Sequence, residues 1–156
     1  MTASRALALG TLTVGTLDLL DAFVFFGLRG VQPHRILQGI AGGLLGPASF
    51  QGGSATVALG LVLHFFIAFC IVATYLTASR RWPVLVTRPL VYGALYGVIA
   101  YLVMSRVVVP LSATGGGAPT LPVIVNGVLI HIFGVGIPSA LAARAAAAPA
   151  YRTARA

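Results

Sequence analysis

The stretch ALALGTLTVGTLDLLDAFVFFGL, residues 6–28, decides the fold. A bilayer core is crossed by about 20 predominantly apolar helical residues, and this run is long enough. It also holds the only two acidic residues of the chain, Asp18 and Asp21. An ionised carboxylate at mid-helix costs about 2.5–3.5 kcal/mol on the translocon scale, so such a residue faces protein or water and has a partner. Asp18 and Asp21 are three apart and share a helix face, which Thr11 and Gly15 continue as a stripe of small and polar positions. The stripe is expected to look inward onto other helices.

Composition places those helices in a membrane. Apolar residues make up 58% of the chain and charged residues 8%, against about 25% charged in a soluble domain. The mean hydropathy is +0.99. The formal charge of +8 comes from arginine alone, because the chain has no lysine. A basic chain invites a nucleic-acid reading, but these arginines flank apolar runs, where they act as topology signals and headgroup contacts. The expected partner is the lipid bilayer, with a homo-oligomer or a larger membrane complex as a further expectation, and not nucleic acid. The single cysteine, Cys70, lies in an apolar run and excludes an intrachain disulfide.

Working outward, residues 1–5 are too short and too weakly charged for a secretory n-region, so residues 6–28 are read as the first span. Residues 27–53 are glycine-rich and too interrupted to span. Within them Pro33 suits a helix start, and Ile36, Leu37, Ile40, Leu44 and Leu45 recur at helical spacing opposite His34, Arg35 and Gln38. This predicts an interfacial or re-entrant amphipathic helix over about residues 33–46. The second span, 54–77, ends at arginines 80 and 81, Trp82 and Pro83. The third, 90–110, carries Gly93-x-x-x-Gly97, a spacing that lets helix backbones approach. Residues 111–121 read as an uncharged flexible loop, and 122–143 as the fourth span, with Gly127, His131, Gly134 and Pro138 on one stripe. No pair of spans repeats another, so the expected fold is all-α: one polytopic domain, four transmembrane helices in a bundle plus the short helix.

Orientation follows from the arginines near span ends. Arg5, Arg80, Arg81, Arg88, Arg144, Arg152 and Arg155 lie on one side, against Arg29 and Arg35 on the other. The excess predicts both termini in the cytoplasm. Depth is counted at about 1.5 Å per residue. It puts Asp18, His64 and His131 at one level, about 14–15 Å below the outer ends of their spans. These three form a candidate polar cluster able to exchange protons, since buried carboxyls and imidazoles both titrate toward neutrality. Asp21 and Arg106 lie at depths that a long arginine side chain can bridge, which predicts a partly buried ion pair.

Plainer and alternative readings attach to the same residues. His64 and His131 can simply donate to backbone carbonyls across helix contacts. No cofactor is expected on the main reading, but the two histidines on different helices at one depth would also suit axial ligation of haem b, with Gly60 and Gly127 leaving room for the macrocycle. A small proton or solute carrier is a third reading and requires an open path past the aspartates. The chain has no phosphate-binding glycine loop, C-x-x-C pair, nucleophile elbow or H-E-x-x-H motif, so neither a catalytic residue nor a metal site is assigned.

Several pieces carry a resemblance: Gly15-Thr16-Leu17-Asp18; residues 36–46, ILQGIAGGLLG; Phe50-Gln51-Gly52-Gly53; Leu59-Gly60-Leu61; and Tyr96-Gly97 leading to Val109-Pro110-Leu111-Ser112-Ala113. Together they resemble a group of small bacterial inner-membrane proteins labelled YagU-like. The resemblance covers most of residues 15–113 and implies a four-span membrane protein without an assigned activity, with a link to acid resistance. It carries over Asp18 alone as a matched intramembrane position. The function expected from the sequence is therefore non-enzymatic, acting through helix packing or assembly with a pH-responsive Asp/His cluster.

Overall fold

Pre-proline residues mark the breaks between helices. Gln32, Trp82 and Arg88 each precede a proline and adopt non-helical angles, with φ/ψ of −74/146, −122/92 and −123/62. The proline ring disfavours the α region at the preceding residue. The computed structural model describes residues 1–115 and 117–153, with side chains through residue 147. Arg155 and the side chain of Arg152, both counted for orientation, lie outside what is described.

Helix α1 (Ala3–Gly27) is followed by α2 (Pro33–Leu45), a 3-10 segment over Gly46–Gln51, α3 (Gly53–Arg81) and the single turn α4 (Val84–Thr87). Next come α5 (Pro89–Val103), a π-helical segment Met104–Val108 and α6 (Val109–Leu111), and then α7 (Leu121–Ile130), a second π-helical segment His131–Gly136 and α8 (Ile137–Thr153). Four continuous helical stretches are long and apolar enough to cross a membrane: Ala3–Gly27, Gly53–Arg81, Pro89–Leu111 and Leu121–Ala147. The protein is an all-α polytopic membrane bundle with no strand among the described residues. The second span runs on to Arg81 because no breaker precedes Pro83, and the fourth continues into the alanine-rich segment after Ala143, since alanine has the highest helix propensity.

Both π segments end two residues before a proline, Pro110 or Pro138. A proline inside a helix has no N–H to donate and its ring crowds the carbonyl four residues back. Widening the preceding turn by one residue relieves that crowding.

The first and third connections meet at one end of the bundle, where the Ala113 N–H donates to the Gly43 carbonyl of α2 at 2.9 Å. The N-terminus lies at the other end, near Ala145. The tight core belongs to that terminal half: Ala6, Val14, Val72, Tyr75, Val135 and Ala140 are each at most 1% exposed. There the Gly93/Gly97 stripe of α5 lies backbone against backbone on the fourth span, at His131, Ile132, Gly136 and Ile137. Tyr75 and Tyr96 pack edge to face at 4.9 Å and donate to the carbonyls of Leu85 (3.0 Å) and Ile71 (2.7 Å). Helix α2 seats on α3 through Gly60, whose open side meets the Leu37 carbonyl. Gln38, expected on the polar face of α2, is instead 4% exposed, with its amide 3.4 Å from both the Thr56 hydroxyl and the Gly53 carbonyl.

Candidate ligand cavity

The half of the bundle nearer α2 encloses a cavity of about 560 Å³ between α1, α2, α5 and α7. Its inner end is polar: Asp18 and Asp21 from α1, Asn126 from α7, His131 and Tyr101. Its walls are apolar, with Phe26, Ile36, Ile40, Val108, Val123 and Ile130 among them. Arg35, Ser112 and Thr114 lie toward the α2 end.

The inward stripe of α1 is formed as the sequence reading describes it. Gly15 is buried, and Thr11, Asp18 and Asp21 are half-buried on the same face. His131, His64 and Asp21 are the ionisable groups near Asp18. No hydrogen bond joins Asp18 to either imidazole among the described residues, and its carboxyl faces the cavity.

Backbone contacts set the tautomers of the two histidines. The His64 Nε2 lies 2.8 Å from the Gly15 carbonyl, and the His131 Nδ1 lies 2.9 Å from the Gly127 carbonyl of its own helix. A carbonyl only accepts, so each of these nitrogens carries the hydrogen and the opposite ring nitrogen is the acceptor in the neutral ring. His131 lines the cavity and His64 does not; it stands on the other side of Asp18, tied to α1. The room that Gly60 and Gly127 would offer a haem is filled, by the Leu37 backbone and by the Tyr101 ring respectively. The two imidazoles thus share Asp18 as a neighbour without facing one open slot. Among the described residues no group of three or more His, Cys, Asp or Glu side chains is arranged to hold a metal ion.

The expected Asp21–Arg106 ion pair is not formed. Asp21 Oδ2 accepts from the Asn126 Nδ2 at 2.6 Å, and Arg106 is exposed on the π segment of the third span. Depth alone does not fix the direction around a helix axis, and the widened turn over Met104–Val108 alters it for Arg106. Asn126 is therefore the partner that the sequence reading missed. The available signal was a lone amide in an apolar span, which, like a charge, is costly there unless bonded. Arg35, read on the face of α2 opposite its apolar residues, is exposed. It reaches the Phe50 carbonyl (3.3 Å) and Gln38 Oε1 (3.4 Å), with its guanidinium 4.7 Å over the Phe50 ring.

The inner end is held by close packing around it. The open side of Gly97 rests on the carbonyl of His131, which fixes where that residue starts its turn. The Tyr101 ring packs edge-on to the His131 imidazole at 5.5 Å. His64 packs edge-on to Phe65 at 5.5 Å, and the Phe65 ring covers Gly15.

Fold and cavity together define a polytopic helical membrane protein with a mostly apolar ligand-sized chamber that ends on carboxylates. No family model, no curated protein and no solved structure matches the chain.

Proposed function

We propose that this protein is a non-enzymatic, carrier-type membrane protein that binds an amphipathic small molecule in the cavity, with the Asp18, His64 and His131 group making occupancy pH-responsive. The observation that carries the reading is the cavity itself. Ligand sites of about 300–1,000 Å³ with apolar walls and a few convergent polar groups are the usual form of small-molecule sites, and intramembrane ionisable residues mark substrate or proton paths. Every group at the inner end can bind, orient or exchange a proton.

The setting we propose is a bacterial inner membrane with both termini cytoplasmic, as the arginine distribution favours. The α2 end of the cavity then faces outward. The residue pieces that resemble the YagU-like group include Asp18, Ile36, Gly39, Ile40 and Gly43, all of which line the cavity. That overlap supports reading the acid-resistance link as a property of this site.

Gly39 supplies the test. It lines the cavity, and a Cβ added there meets nothing within 4 Å, so Gly39→Leu fills the space without disturbing the backbone. Wild-type protein in lipid nanodiscs is expected to gain thermal stability from some members of a panel of small amphiphiles, and Gly39→Leu to lose that gain while melting close to wild type alone. A panel that shifts both proteins equally, or neither, overturns the proposal.

A further inference from the structure

Resting on the binding reading above, we infer that the ligand is an amphipathic monocation: an apolar amine whose single ammonium sits among Asp18, Asp21 and His131, with its hydrocarbon body along the walls toward α2.

The inner end of the cavity is dominated by acceptors, two carboxylates and the free His131 ring nitrogen, with the Tyr101 hydroxyl and the Asn126 amide as its donors. Asp18 and Asp21 bring two carboxylates, and no ion pair opposes either among the described residues. The one side-chain hydrogen bond on these carboxylates among the described residues comes from the neutral Asn126 amide to Asp21 Oδ2, which leaves the rest of both unmatched. Because the His131 Nδ1–H is spent on the Gly127 carbonyl, the neutral ring offers a lone pair at Nε2. An ammonium brings up to three N–H donors and a positive charge, which fits this set, whereas a carboxylate or phosphate brings only more acceptors.

The opposite end offers nothing to a second positive charge. Arg35 lines the cavity toward α2, but its guanidinium turns to the Phe50 carbonyl and ring and to Gln38, which line a separate surface groove. With both acidic residues of the chain at the inner end, a second ammonium on a long diamine meets no carboxylate there. Between the two ends the walls are hydrocarbon and aromatic, with Ile36, Ile40, Val108 and Phe26 among them, and take an alkyl or aryl body. The ionisable groups that bear on the site are Asp21 on the same helix, His64 on α3, His131 on the fourth span and Arg35 on α2. Protonation of either carboxylate removes negative charge and acceptor capacity from the inner end, so acidification weakens binding of a cation.

The experiment uses the full chain in nanodiscs of zwitterionic lipid, with empty nanodiscs as the partition control, and titrates n-octylamine, 1-octanol, octanoate and 1,8-diaminooctane. Octylamine is expected to bind at least tenfold more tightly than octanol or octanoate at pH 7 and more tightly than the diamine, and to weaken at pH 5. Asp18→Asn is expected to reduce octylamine affinity tenfold or more while leaving octanol unchanged. Asp21→Asn, which keeps an amide-bonding group beside Asn126, gives the same direction should Asp18→Asn not fold. Octanol binding as tightly as octylamine, or octanoate binding best, overturns the inference while leaving a binding cavity in place. If no probe binds, or if all bind Gly39→Leu as well as wild type, the binding reading fails too.

Discussion

Substituting alanine at Gly97 tests the crossing that fixes His131. A Cβ at Gly97 meets the carbonyl of His131 and, at 2.7 Å, the Ile132 Cα, so only a backbone shift can relieve it. Overpacking of this kind costs about 1–3 kcal/mol. The gain in helix propensity from glycine to alanine, about 0.5–1 kcal/mol, opposes it. That second term is removed by comparison with Gly39→Ala, where the same Cβ enters open space within a helix. The difference between the two variants isolates the clash, about 1–3 kcal/mol. For a chain of this length 1 kcal/mol moves a melting midpoint by about 2–4 °C. Gly97→Ala should therefore melt roughly 2–12 °C below Gly39→Ala, followed by far-ultraviolet circular dichroism in one detergent. Gly97→Ala melting with or above Gly39→Ala would show that α5 and the fourth span do not touch backbone to backbone, and the placement of His131 would fall with it.

Other contacts give further expectations. A double-mutant cycle on Asp21→Leu and Asn126→Leu should return a coupling of about 0.6–1.7 kcal/mol, the range of hydrogen bonds between membrane helices; a coupling near zero in unfolding titrations would remove the 2.6 Å contact as a real bond. A second cycle, on Asp21→Leu and Arg106→Gln, should return a coupling near zero, because no ion pair joins the two residues. A clear favourable coupling in the same titrations would restore the clasp that depth alone predicted. Tyr96→Phe removes the 2.7 Å bond to the Ile71 carbonyl and should cost about 0.6 kcal/mol, read as a lower denaturation midpoint, with no loss refuting the bond.

The helices were legible because their signals are one-dimensional. Apolar length, arginine at the ends and proline at the stops locate each span within a few residues. The inward stripe of α1 was legible for the same reason, since Thr11, Gly15, Asp18 and Asp21 lie on one strip of one helix. What joins helices was not. Asp21 and Arg106 match in depth and miss in direction, and Asn126 takes the place that Arg106 was given. The depth of His64 and His131 put both near Asp18, as the structure has them, but periodicity did not say that α2 would cover Gly60 or that Tyr101 would cover Gly127. Gln38 shows the same limit. Helical spacing set it opposite the leucines, yet Leu44 and Leu45 are 64% and 46% exposed while Gln38 is buried against α3.

The cavity follows from a gradient of side-chain size along the bundle. In the terminal half, Ala6, Gly10, Gly93, Gly136, Ala140 and Ala143 let helices approach until backbones or methyl groups touch. In the half nearer α2 the facing positions are Phe25, Phe26, Ile36, Tyr101 and Ile130, which hold the helices apart. Four helices that converge at one end and are propped open at the other must leave space at the second. The wide turn before Pro110 lies at the propped end, where Met104 and Val108 line the cavity, whereas the one before Pro138 carries the close contact with Gly93 and Gly97 and sets His131 at the cavity's inner limit. Met104 and Val108 from the first wide turn and His131 from the second all line the chamber, so the two π segments supply part of its wall and part of its polar end.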